Sequence, residues 1–418
     1  MPPLRVIIIF ILVVLFLLFL RFFIFYQNFS QYQDGQSISL QVTLMQEPKV
    51  SNHGQRFTIK TSENQRIAIQ SGLSPRYHYG DRLAIQGSLQ VDKNEKGQPF
   101  FSLRYPKIGV LTQSQNPFFK ASVWVREKSS RLFYETLSPV SASLLMGILF
   151  GAKEDFPPDF WEDLQTTGVL HVIAASGMNV TFFTGAVMFS LGTFLKRRIA
   201  ILLSIFAVIF YAFLAGMDPP ILRASIMGLI AFAASFLGKQ SFAFLSLFIA
   251  GFVLLLWQPA YLFDVGFQLS CLATLAILLF NPGLKWLDKL GMLGEDIKTT
   301  ISAQLGTLPI LLGVFGKIGV WSILVNALVL WTIPLLMILG SLAVLGGLIF
   351  MPLGKIFLLF SLPFLLFFEY IVRTFASLGG ELTMESFPWQ LGVGYYLILS
   401  ALIFHLISRK SNTKTRQE

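Results

Sequence analysis

The segment 168–180, GVLHVIAASGMNV, places His171, Ser176, Gly177 and Asn179 at the start of a long apolar run. A histidine and a serine together invite a nucleophilic reading, with the imidazole as base and the hydroxyl as nucleophile. Their spacing argues against it, because five residues on a straight helix set the two side chains about 140° apart. No acidic residue adjoins them to orient the imidazole, so the sequence predicts no catalysis here. Polar groups in hydrocarbon are costly unless they are paired or wet, and this cluster is expected to line a cavity.

Two charged residues inside later apolar runs extend the same argument. Arg223 and Asp264 each stand where an isolated charge costs about 2.5 to 3.5 kcal/mol, so they should pair, face the bundle interior or line an aqueous path. A structural Arg223–Asp264 pair and a channel lining both satisfy that requirement. Gln268 follows Asp264 by four residues and shares its helix face. Gln304 and Asn326 either prolong a polar lining or bond neighbouring backbones. Glu369 and Arg373 are also four apart and should pair on a helix near the outer interface.

The elements that hold these residues are membrane helices. The chain is 54% hydrophobic and only 13% charged, against about 25% charged for an ordinary soluble domain, which excludes that class. The net charge of +10 fits nucleic acid, anionic lipid or a cytoplasmic bias of basic loops, and decides nothing alone. One cysteine, Cys271, excludes an intrachain disulfide, and four scattered histidines exclude a conventional multi-histidine metal cluster. No cofactor is expected. Residues 1–26 read as a retained anchor, since the polar stretch after it offers no small-x-small cleavage site.

Residues 27–115 alternate apolar and polar at SISLQVTL, RFTIKT, RIAIQ, RLAIQGSLQV and FFSLRY, the pattern of a small all-β domain. Residues 27–140 carry 14 Lys/Arg against 8 Asp/Glu, a balance of +6. With Tyr32, Phe57, Tyr77, Tyr79, Phe100, Phe101 and Tyr105 interleaved, a basic aromatic face could bind single strands, although such aromatics also serve as core. Within 116–165, one amphipathic stretch is expected on the membrane surface and SASLLMGILFG as a re-entrant or broken helix. Residues 166–408 hold the remaining apolar runs, which with the anchor make about ten spans, and 409–418 form a basic tail. Basic clusters at 196–198, 239, 285–298, 355 and 409–416 recur on the side of Arg5, so both termini are expected in the cytoplasm and the β domain outside.

Four blocks in order resemble the ComEC-type competence family. They are LLMGILFG with GVLHVIAASGMNV; GMDPPILRASIMG, carrying Gly216, Arg223, Ala224 and Met227; DVGFQLSCLATLAI from Asp264; and AQLGTLPILL with Asn326 and Pro334 downstream. Asn179 stands where that family most often has a second histidine, and Cys271 replaces a usual aromatic. The resemblance implies an inner-membrane channel for single-stranded DNA, with an OB-like barrel at the place of the β domain. The small run Ala174, Ala175, Ser176 and Gly177 would let either helices or a nucleic-acid backbone come close. It also implies partners: an external DNA receptor with pilus-type uptake machinery, a cytosolic DNA motor or single-strand-binding protein, and possibly further copies of the chain in a homo-oligomer. Many members continue into a metallo-β-lactamase-like domain whose HxHxDH motif is missing here, so the expectation is either a separately encoded nuclease or a member that handles DNA already single-stranded.

The expectation is therefore a polytopic α-helical membrane protein of about ten transmembrane helices with a small external all-β OB-like domain, in the bacterial cytoplasmic membrane, not an enzyme. It would pass single-stranded DNA during transformation, through a path lined by His171, Ser176, Gly177, Asn179, Arg223, Asp264, Gln268, Gln304 and Asn326. Transport of a non-DNA solute or lipid, or a scaffold without transport, are the alternatives.

Overall fold

A computed structural model of the protein describes residues 4–27, 32–44, 48–51, 54–61, 66–78, 80–93, 99–112, 116–152, 156–173, 177–384 and 387–414. Helix α1 (Leu4–Gln27) leads into eight strands: β1 (Ser37–Thr43), β2 (Lys49–Ser51), β3 (Gly54–Lys60), β4 (Arg66–Ser71), β5 (Arg82–Ser88), β6 (Gln90–Lys93), β7 (Pro99–Arg104) and β8 (Lys107–Thr112). Alternation sets their faces, as a pleated strand requires. In β4 the side chains of Ile67 and Ile69 are buried while Arg66 is exposed. Phe57, Ile59, Leu83, Ile85, Leu89 and Leu103 complete this core. One sheet runs β2-β3-β4-β7-β6, with β4 and β7 parallel, and the other runs β1-β5-β8. The buried Leu89 alone separates β5 from β6, so one nearly continuous strand joins the two sheets.

The helical part opens with α2 (Pro117–Thr136), capped by Asn116, whose side chain accepts from the Phe118 N–H at 3.0 Å. Its buried stripe, Ser122, Val125, Ser129, Leu132 and Phe133, recurs at helical spacing. That face was expected against lipid headgroups. It instead meets protein, on α3 (Pro139–Phe150) and on helices α7, α13 and α14, whose ranges follow. Helix α3 is 12 residues long, about 18 Å at 1.5 Å per residue, too short for a hydrocarbon layer of about 30 Å. Every residue from Ser141 to Phe150 is buried. Gly151, left-handed at φ 69°, ends the helix.

The chain continues through α4 (Pro158–Thr166), α5 (Leu170–Ile173), α6 (Gly177–Phe194), α7 (Arg197–Leu214), α8 (Pro219–Phe236), α9 (Ala243–Trp257), α10 (Val265–Phe280) and α11 (Gly291–Phe315). After β9 (Lys317–Gly319) come α12 (Ser322–Val329), α13 (Thr332–Ile349), α14 (Met351–Ser377), β10 (Glu381–Thr383) and α15 (Trp389–Lys414). Among the described residues 6 helices are long and apolar enough to cross a membrane, namely α7, α8, α10, α11, α13 and α14. Helices α3 and α9 and the described side chains of α1 add shorter apolar stretches. The outer faces carry exposed Phe189, Phe194, Leu202, Phe206 and Ile349, a belt that water would not tolerate and lipid would cover.

Three local devices hold the bundle. Arg21, the charge inside the apolar α1, donates to Leu256 O at 2.9 Å and Trp257 O at 3.2 Å, satisfying carbonyls at the negative end of α9. Pro309 inside α11 lacks an N–H for the carbonyl four residues back, and Tyr395 of α15 supplies that donor, its hydroxyl 2.8 Å from Leu305 O. The third is the antiparallel ribbon of β9 and β10, with Gly319 opposite Glu381, which ties the end of α11 to the end of α14.

Candidate functional site

Arg223 lies in the second turn of α8 and is only 5% exposed. Its Nη1 donates to Thr274 Oγ1 on α10, and Thr274 in turn donates to Ser270 O at 2.9 Å. Thr274 therefore keeps its lone pairs for the guanidinium. A second, weak contact runs from Nη1 to Met227 Sδ at 3.9 Å. Nε is buried without a hydrogen-bond partner among the described residues. Gly177, the first residue of α6, lies so close that a Cβ there would sit 2.6 Å from Nη2. A side chain at this position would have to push the end of Arg223 aside.

The expected Arg223–Asp264 pair does not form. Asp264 is the N-cap of α10, its Oδ1 accepting from the Phe267 N–H at 3.0 Å, and its Oδ2 pairs with Arg66 on β4. An aspartate immediately before an apolar helix is a capping signal, and that local demand fixes its carboxylate at the helix end. Gln268, one turn on, donates to Leu262 O at 2.7 Å and closes the 3-10 turn before the helix. Arg66, Asp264 and Gln268 thus gather where the strand domain meets the bundle.

The remaining residues fall into separate places. His171 is exposed on α5, its Nδ1 3.1 Å from Gly168 O. Gly168 itself abuts Ser322, where a Cβ would come within 2.7 Å of the serine Cβ, and Ser322 Oγ also receives the Gln304 Nε2. The ribbon sets this contact: Gly319 packs on the backbone at Thr166 and Thr167, and Thr166 Oγ1 donates to Glu381 at 2.6 Å. Asn326, one turn beyond Ser322, is 1% exposed with Oδ1 lacking a partner. Asn179 is 1% exposed and donates to Ile148 O at 3.0 Å, meeting one of the carbonyls that the end of α3 leaves open. Ser176 lies outside the described residues. The structure thus joins Arg223 with Gly177, Gln304 with the His171 segment, and Asp264 with Gln268, and it adds Thr274, Ser322 and Arg66, which sequence reasoning missed.

Glu369 and Arg373 do pair, at 2.9 Å, and Arg373 reaches on to Asp159 at 3.3 Å and Asp163 at 3.5 Å of α4. Burial raises the Asp163 carboxyl above its ordinary range despite that arginine. On the strand domain, Phe57 and Tyr77 are core at 6% and 4% exposure, Tyr32 stacks edge-on with Phe101, and Tyr79 lies outside the described residues. Phe100 and Tyr105 are exposed, the latter at 62%. Tyr105 receives a 3.3 Å hydrogen bond from Gln70, which sits in register between Arg56 and Arg104. Hydrogen bonds from Ser102 and then Arg104 hold the Asp92 carboxyl below its ordinary range.

The chain is 26% identical to the ComE operon protein 3 of Bacillus subtilis (strain 168) over 325 residues, which cover 72% of this chain and 41% of that protein. It is 28% identical to an uncharacterized protein of Aquifex aeolicus (strain VF5), over 56% of this chain and 52% of the relative. Similarity to the uncharacterized protein YcaI of Escherichia coli (strain K12) is 25% identity, over 61% and 36%. The chain spans about half or less of the length of these curated relatives. Residues 148–409 match the family described as Competence protein, a stretch that takes in every helix bearing Arg223, Asp264, Gln304 and Asn326. With more than half of its length so matched, the chain belongs to the ComEC-type competence protein family.

Proposed function

We propose that the protein conducts single-stranded DNA across the bacterial cytoplasmic membrane during transformation. The observation that carries this reading is the competence-family match over a bundle that encloses a buried arginine with no carboxylate partner among the described residues. A phosphate chain crossing a low-dielectric layer needs cationic or polar partners, and Arg223 supplies one inside the matched region. The path extends from His171 and Gly177 past Arg223 to Gln304 and Asn326, with Asp264 and Gln268 at its outer mouth.

The strand domain serves as an external OB-like barrel that meets the incoming strand. The parallel β4–β7 pair and the near-continuous β5 and β6 support that topology, and the row of exposed Arg56, half-buried Gln70 and exposed Arg104 beside Tyr105 supports contact with phosphate and base. Both termini are cytoplasmic in this reading. Lys196, Arg197 and Arg198 lie at the end of the α6–α7 pair opposite to the one where Gly177 begins, as the charge rule for cytoplasmic loops requires. Upstream, an external DNA receptor with pilus-type machinery delivers the strand, and a cytosolic motor or single-strand-binding protein draws it in.

Uptake of labelled DNA by a deletion strain, complemented with variants, tests the proposal. Arg223→Ala should abolish or sharply lower transformation while the protein still accumulates in the membrane. Normal transformation at wild-type abundance would remove Arg223 from the path. Unchanged uptake in the deletion strain would transfer the reading to a solute or lipid.

A further inference from the structure

The ion pair between Arg66 and Asp264 is built unevenly. Asp264 is mostly covered, and its Oδ1 accepts from the Phe267 N–H at the head of α10, so the carboxylate keeps its place whatever Oδ2 meets. Arg66 is more than half exposed at the start of β4. It also belongs to the outward face of that strand, because Arg66, Ala68 and Gln70 alternate with the buried Ile67 and Ile69. Gln70 stands in register between Arg56 on β3 and Arg104 on β7, and it lies about 13 Å along the strand from Arg66. The cation that touches the bundle is thus one end of the basic face whose other end is Tyr105.

The junction itself is slight. Among the described residues no strand from β1 to β8 packs broadly against a helix, and the chain enters the domain after α1 and leaves it before α2. The orientation of the domain therefore leans on polar links such as this pair. An exposed ion pair shifts an equilibrium by no more than about fivefold. A chain of phosphates that engages Arg56 and Arg66 together, each through charged hydrogen bonds, outweighs a link of that size.

We propose that Arg66 is a shared donor: Asp264 holds it in the free protein, and a phosphate chain lying on the outward face of β3, β4 and β7 takes it over and releases the strand domain from the head of α10. The carboxylate is then an internal competitor of the ligand. The exchange deepens the DNA-passage reading and rests on it only for the identity of the phosphate chain, which is either single-stranded DNA or an inorganic polyphosphate.

The test uses the full chain in nanodiscs at fixed ionic strength, and its signature is that the two partners of one ion pair act on binding with opposite sign. Asp264→Asn keeps the α10 cap but removes the competitor, so it should tighten binding of a short thymidine oligonucleotide by up to about fivefold. Arg66→Gln removes the donor and should weaken binding by about fivefold or more. In an Arg66→Gln background Asp264→Asn should change nothing, because the competitor acts only through that arginine. Release of the domain is read with spin labels on Thr58→Cys and Phe263→Cys in a Cys271→Ala background. Their separation should be narrow in the free protein and broaden as the oligonucleotide saturates, and with Arg66→Gln it should be broad from the start. Oligonucleotide binding that Asp264→Asn leaves unchanged or weakens, or a gain that persists without Arg66, would overturn the exchange while DNA binding stands. Broadening by sodium tripolyphosphate but not by the oligonucleotide keeps the exchange, and only the DNA reading fails. A separation that neither ligand alters would overturn the release.

Discussion

Arg66 on β4 and Asp264 at the head of α10 form an ion pair that fastens the strand domain to the helical bundle. The carboxylate has two tasks, since it also caps α10 through the Phe267 N–H. Asp264→Asn should keep the cap, for which asparagine serves equally well, and lose only the ion pair. With Arg66 more than half exposed, that loss should stay below about 1 kcal/mol. Asp264→Ala removes both and should cost about 1 kcal/mol more, measured by denaturation in detergent. Equal effects of the two substitutions would mean that the cap contributes nothing. Because Asp264 does not hold Arg223, Asp264→Asn should also lower transformation less than Arg223→Ala does.

The sidedness of the chain predicts a labelling pattern. In a Cys271→Ala background, Thr58→Cys on the exposed face of β3 should react with a membrane-impermeant maleimide added to intact cells. Reaction only after the cells are opened would place the strand domain in the cytoplasm and reverse the topology.

Single-strand binding by the strand domain should depend on Tyr105 and on salt. Tyr105→Ala in the full protein should weaken oligonucleotide binding by about 1 to 3 kcal/mol if a base stacks on the ring. Affinity should fall as salt rises, because lysines and arginines release counterions from phosphate. Phe57→Ala, by contrast, removes a core ring and should lower stability by about 3 kcal/mol or more. An affinity insensitive to both Tyr105 and salt would leave the face without a nucleic-acid role.

The hydroxyl of Tyr395 answers a defect created by Pro309. Tyr395→Phe should destabilise by about 0.5 to 1.5 kcal/mol by leaving Leu305 O unpaired. In a Pro309→Ala background the restored N–H can reach that carbonyl, so the same substitution should cost less. A strictly additive cycle, read from unfolding midpoints, would show that the proline and the tyrosine are independent.

Period-two alternation placed β1, β3, β4 and β7 within a residue or two of their observed bounds and ran β5 on into β6 as one segment. It missed β8, whose side chains are exposed or half-buried without alternation, and the three-residue strands β2, β9 and β10, which are too short to show a period. Phe57 shares a strand face with Ile59 and was readable as core, whereas Tyr105 falls just past the end of β7, where strand phase no longer predicts its side. The stripe on α2 was equally visible, yet periodicity reports an apolar face and not whether lipid or protein covers it. For Arg223 and Asp264, charge inside apolar runs told that each needed compensation. It could not tell that Asp264 would find its partner in a strand nearly two hundred residues earlier, because that pairing exists only once both domains are folded.

The ribbon of β9 and β10 has a consequence for how the bundle tolerates change. Its two strands stitch together the points where the chain leaves α11 and where it returns before α15, so α12, α13 and α14 form an excursion whose entrance and exit are fixed side by side. Alterations of length within that excursion, such as in the turn at Phe350, leave its two ends in place and are felt instead where α13 and α14 pack on α2 and α3. The register of α15 on α11 is set separately by Tyr395 and Tyr396. The last third of the protein is thereby a loop of core helices closed at its base by a two-stranded clasp.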